Sequence, residues 1–181
     1  MSGKVFSPRE LAYGGLFGAS ALLLPVIFHL VHLGHIFMPM YLPLVALAFF
    51  VRPLPAALTA LVVPLLSGAA TGMPPFYPPV AVIMAVELAI MATVIAAIKQ
   101  YKPKWNEWLI LFPALILGRI VNISLIYLFA GFIHLPAGFF AGASFISGWP
   151  GIILMLAVVP PLVRQATRRK IVLGPQGEDM Q

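Results

Sequence analysis

The 181-residue chain has no cysteine, only five acidic residues, and charged side chains at just 9% of positions. Without cysteine, disulfides and thiolate metal sites are excluded. A soluble domain carries roughly a quarter charged side chains, so this low charge excludes that class. Catalytic signatures are missing as well. There is no His-Glu-x-x-His, no Gly-x-Ser-x-Gly with its partners and no phosphate-binding loop, so the chain is not read as an enzyme and no cofactor is expected. The net charge of +6 comes from basic residues scattered along the chain, not from one patch interleaved with aromatics, which argues against nucleic acid as a partner.

In place of charge there is apolar length. Hydrophobic residues make up 61% of the chain and the mean hydropathy is +1.02. A spanning helix needs about 20 apolar residues, and the chain divides into about six such stretches. They run over about Leu11 to Val31, Phe37 to Val51, Leu54 to Ala70, Val80 to Ile98, Trp108 to Ala130 and Ser147 to Val163. The second is short and opens on Pro39 and Pro43, which predicts a bent or unwound outer end. Residues 1–170 therefore read as one all-helical membrane domain, followed by a short polar tail over 171–181. Met1 to Glu10 is too polar for the start of a cleavable signal peptide.

Ten of the eleven Lys and Arg residues lie at the chain ends or in two of the breaks between stretches. Lys4 and Arg9, then Arg52, then Lys99, Lys102 and Lys104, and finally Arg164, Arg168, Arg169 and Lys170 alternate with the uncharged breaks at 31–35, 72–79 and 131–147. By the positive-inside rule this pattern places both termini in the cytoplasm and every uncharged loop outside. Tyr101, Trp105 and Trp108 beside the inner lysines fit an interfacial aromatic belt.

Two charges remain inside the stretches. Glu87 precedes Lys99 by twelve positions and Arg119 follows Glu107 by twelve, so on antiparallel helices both lie roughly 18 Å from the inner boundary. An isolated charge at that depth costs at least about 2.5 kcal/mol, so the two are expected to pair, with Asn122 and Ser124 close by on the same helix. Whether the pair holds the fold or touches a ligand is open at this level.

Three other features bear on function. His29, His32 and His35, with His134 in a later outer loop, have spacing that can hold a metal or tetrapyrrole, yet they lack the carboxylate or thiolate partners of a strong site. No metal site is assigned to them. Gly14 with Gly18, and Gly15 with Ala19, form small-xxx-small pairs that let another helix approach closely, either within the bundle or from another subunit. The 73–79 segment, Met-Pro-Pro-Phe-Tyr-Pro-Pro, predicts an extended, rigid outer loop.

The stretch Gly34-His35-Ile36-Phe37-Met38-Pro39-Met40-Tyr41-Leu42-Pro43 resembles the start of the second helix in substrate-binding (S) components of energy-coupling factor (ECF) transporters. Many of these read Gly-x-x-Phe-x-Pro-Met-His-x-Pro there, and this chain has Tyr41 where His is usual. The resemblance implies a bundle of about six helices in the bacterial cytoplasmic membrane, binding a vitamin-like micronutrient near the outer face. Its partners would be a transmembrane coupling subunit and two ATPases. It further implies a cavity lined by His35, Met38, Tyr41, Phe76, Tyr77, Glu87, Arg119, Asn122, Phe145 and Trp149, and a docking face at Gly14, Gly15, Gly18 and Ala19. The competing readings are a self-sufficient small carrier or channel, a metal or tetrapyrrole uptake subunit, and a structural subunit of a membrane enzyme complex.

Overall fold

The computed structural model describes residues 6–30, 38–77, 79–133 and 137–168, with side chains over 6–28, 38–77, 79–132 and 148–168. Within them the chain is all helix: α1 (Pro8–Leu30), α2 (Tyr41–Leu47), α3 (Pro53–Thr71), α4 (Val80–Tyr101), α5 (Glu107–Ile133) and α6 (Ala137–Arg168). Five of these are long and apolar enough to cross a membrane. The second stretch folds differently from the expected span. Its helix has seven residues, about 10 Å of rise, and Met38-Pro39-Met40 turns into it with the Tyr41 amide donating to the Met38 carbonyl at 3.0 Å. Proline is suited to the second position of such a turn.

The helix starts are written locally. Ser7-Pro8-Arg9-Glu10 is a capping box with proline at the first helical position. The Glu10 amide donates to Ser7 Oγ at 3.2 Å, and the Ser7 amide donates to Glu10 Oε2 at 2.9 Å. Asn106 starts α5, its Oδ1 accepting from the Trp108 amide at 3.1 Å. Gly72 ends α3 in the left-handed region at φ 74°, its amide donating to the Gly68 carbonyl. The proline-rich loop then packs back on α3. Ser67 Oγ donates to the Met73 carbonyl at 2.7 Å, and a Cβ on Gly68 would lie 2.7 Å from the Pro74 carbonyl oxygen, so only glycine admits the loop there.

Helix α6 begins ten residues before the expected boundary at Ser147. The Ala137–Gly148 segment, AGFFAGASFISG, contains neither proline nor charge, so nothing in it stops a helix. The stretch expected to form an outer loop over 131–147 thus belongs largely to α5 and α6. Helices α1, α3, α5 and α6 also continue through Pro25, Pro64, Pro113 and the Pro160-Pro161 pair respectively, as helices do when neighbours re-satisfy the freed carbonyls.

Helix α2 lies at the centre, touching α1, α3, α4 and α6. Tyr41, Pro43, Leu44, Val45, Ala46 and Leu47 are all buried. Around it Leu88, Met91, Ile95, Leu111, Leu115, Met155 and Val159 complete the core. By contrast α1 touches only α2 and α3 among the described elements and turns Leu11, Leu16, Leu23 and Ile27 outward, the pattern of a helix facing lipid or another subunit.

Three ion pairs gather at one end of the bundle. Arg52 grips Glu10 as a fork, Nε to Oε1 at 2.7 Å and Nη2 to Oε2 at 2.8 Å, and that carboxylate raises the Arg52 pKa above its ordinary value. Because Arg52 opens α3 and Glu10 opens α1, the chain has returned by residue 52 to the end from which α1 departs. Glu107 joins Lys99 at 3.1 Å and Arg164 at 2.9 Å, tying the end of α4, the start of α5 and the end of α6 together.

Candidate functional site

Seven residues along α4, roughly 10 Å from its start, the side chain of Glu87 is 0% exposed. A carboxylate in such a place must have its lone pairs filled. Arg119 Nη2 donates to Oε1 at 2.6 Å, while Oε2 accepts from Tyr41 Oη at 2.6 Å and from Asn122 Nδ2 at 2.8 Å. Two helices thus supply the partners of a carboxylate carried by a third. Arg119 and Asn122 are three apart on α5 and share a face, and Tyr41 enters as the first residue of α2.

The guanidinium of Arg119 is held on several sides. Its Cζ lies 5.8 Å from the Tyr41 ring centroid, within cation–π range. Nη2 also approaches Met38 Sδ at 3.9 Å. Met38 has φ 46°, a left-handed conformation that costs a non-glycine residue energy and persists where the surroundings enforce it. Nη1 is buried and has no hydrogen-bond partner among the described residues. Each carboxylate oxygen therefore has at least one donor, and Arg119 Nη1 leaves an unused donor in the cluster.

Two glycines shape this arrangement. A Cβ on Gly148 would lie 2.7 Å from Arg119 Nη1 and 3.3 Å from Met38 Cε. A Cβ on Gly118 would collide with Met91 Sδ and lie 3.3 Å from Glu87 Oε1. Neither glycine stood out in the sequence. Gly118 had a signal in its position beside a charge inside a span. Gly148 had none, because α6 meets Arg119 only through the packing of the bundle.

The other expected site residues fall elsewhere. Met38, Tyr41, Glu87, Arg119 and Asn122 come together. Ser124 does not join them: it is exposed and its hydroxyl donates to the Ile120 carbonyl at 2.8 Å. Phe76 and Tyr77 are exposed, and no hydrogen bond or ring contact links them to the cluster. The Phe76 ring instead lies over Gly68. Trp149 is exposed on α6. His32, His35 and His134 lie outside the described residues, as do the side chains of His29 and Phe145.

The small-residue ridge of α1 divides. A Cβ on Gly14 would meet Thr59 Oγ1 at 3.2 Å, and one on Gly18 would meet Val63 Cγ2 at 3.4 Å, so this pair packs on α3 within the bundle. Gly15 has nothing within 4 Å of its Cβ position, and both it and Ala19 are exposed.

No family model matches this chain, and no curated protein or solved structure matches it either.

Proposed function

We propose that this protein is the substrate-capture subunit of an ECF-type transporter in the bacterial cytoplasmic membrane. It crosses the membrane six times, with both termini in the cytoplasm, and delivers a vitamin-like micronutrient inward with a coupling subunit and two ATPases. One observation carries the reading. The stretch that resembles the family motif brings Met38 and Tyr41 onto the buried Glu87–Arg119 pair, where Arg119 Nη1 has no partner among the described residues. The six crossings are supported by the Arg52–Glu10 fork, since Arg52, just before α3, lies at the same end as Glu10, where α1 begins.

The substrate class follows from charge and hydrogen bonding. Glu87 already neutralises Arg119, so a second buried anion would stand uncompensated, at a cost of several kcal/mol. A carbonyl or ring-nitrogen acceptor takes up the free donor at no such cost. The ligand is therefore a neutral molecule presenting an acceptor to Arg119, with exposed Phe76 and Tyr77 at the outer end first to meet it.

The packing inward of the pair favours capture over an independent carrier. Ile95, Ile110, Leu111, Leu115, Val159 and Val163 are buried there, leaving an apolar, close-packed interior in place of a polar path. Mass spectrometry of small molecules co-purifying with the detergent-solubilised protein tests the proposal. A neutral, vitamin-sized compound near one-to-one, lost in Arg119→Met, is the expected result. No retained compound, together with solute flux through vesicles containing this chain alone, would overturn it in favour of a carrier.

A further inference from the structure

At the basic end of the bundle, Trp108 of α5 and Pro161, Arg164, Gln165 and Arg168 of α6 line a groove of about 450 Å³. Its cations are unequally committed. Arg164 donates through Nε to Glu107 Oε2 at 2.9 Å and through Nη2 to Asn106 Oδ1 at 2.6 Å, which holds the guanidinium in place. Arg168, one turn further along the same face, makes no ion pair among the described residues. Glu107, the one carboxylate paired at this end of α5 and α6 among the described residues, is already shared by Arg164 and Lys99. The groove therefore presents net positive charge, with one pre-positioned arginine and one available arginine.

A second feature runs from the mouth of this groove. Trp108, Phe112, Ile116 and Ile120 recur every four residues along α5, and all four are exposed, so they form one outward apolar ridge. Trp108 belongs to both groove and ridge. A phosphate-sized cationic groove continued by about 18 Å of apolar ridge matches an anionic headgroup joined to an acyl chain. A small anion would leave the ridge without a role, and a zwitterionic lipid would add an unmatched cation to the groove.

We propose that the α5–α6 groove is a binding site for an anionic phospholipid, with its phosphate between Arg164 and Arg168 and its acyl chain along Trp108, Phe112, Ile116 and Ile120. Basic pockets between membrane helices at the cytoplasmic side are suited to such headgroups. The site is separate from the Glu87–Arg119 cluster and does not depend on the transport reading.

Native mass spectrometry of the full chain in detergent, offered phosphatidylglycerol and phosphatidylcholine in equal amounts, tests this. The expected result is retention of phosphatidylglycerol by roughly tenfold over phosphatidylcholine. Arg168→Gln should bring that ratio close to unity while leaving the lipid-free melting temperature unchanged, since Arg168 makes no ion pair among the described residues. Trp108→Ala should lower retention of both lipids. Equal retention of the two lipids by the unmodified chain, or an unchanged preference in Arg168→Gln, would overturn the proposal. So would inorganic phosphate stabilising the protein as strongly as phosphatidylglycerol, which would make the groove a site for free anions.

Discussion

Arg119 and Glu87 meet at 2.6 Å between α5 and α4, and the carboxylate is wholly sealed from solvent. Each therefore depends on the other: removing one partner strands a buried charge, whereas removing both leaves a neutral gap. Single replacements Arg119→Met and Glu87→Gln are each expected to cost about 3–5 kcal/mol. The double replacement is expected to recover part of that loss. Thermal unfolding in detergent of the four proteins of the cycle measures it, and a double mutant no more stable than the worse single would show that the pair is not coupled.

Tyr41→Phe keeps the ring over Arg119 and removes only the hydroxyl that donates to Glu87 Oε2 at 2.6 Å. A hydrogen bond to a charged group contributes about 1.5–3 kcal/mol, so stability should fall by an amount in that range, read as a lower melting temperature. Tyr41→His, which restores the residue usual in the resembling family, should recover more stability than Tyr41→Ala. Equal melting temperatures for Tyr41→Phe and the unmodified protein would mean that the bond contributes nothing.

Gly148→Ala places a methyl group 2.7 Å from Arg119 Nη1. Overpacking of this kind costs about 1–3 kcal/mol, and here it also pushes the guanidinium away from its free face. Retention of a co-purified ligand should therefore fall by more than stability does. Gly131→Ala serves as the control, because nothing lies within 4 Å of that Cβ position. Ligand retention unchanged by Gly148→Ala would remove Arg119 Nη1 from the binding site.

The two faces of the α1 ridge should separate in mutagenesis. Gly18→Leu drives a side chain against Val63 and Thr59 and should destabilise the bundle by about 1–3 kcal/mol. Gly15→Leu projects into open space, so stability should change by less than about 0.5 kcal/mol. If Gly15 and Ala19 form the docking face, Gly15→Leu should abolish recovery of a coupling subunit in a pull-down while leaving the melting temperature intact. Full recovery of the complex with Gly15→Leu would move docking to another surface.

The membrane class, the helical architecture and most helix starts were legible in the amino-acid order, because hydropathy, capping and proline placement act within a few residues of each other. Ser7 and Glu10 close their box across three positions, and Asn106 caps its own helix. The common depth of Glu87 and Arg119 was legible too, since a helix rises a fixed 1.5 Å per residue and the charged boundaries supply a reference level. What lay outside the sequence was azimuth and neighbourhood. That Tyr41 completes the Glu87 shell, that Gly148 stands against Arg119, that Gly14 and Gly18 face α3 while Gly15 faces outward, and that the second apolar stretch becomes a short buried helix all depend on how several helices rotate and pack together. In an almost uniformly apolar chain, hydrophobic periodicity gives little guidance to those rotations. They are decided by close packing of small residues and by the requirement that a buried carboxylate find every one of its donors.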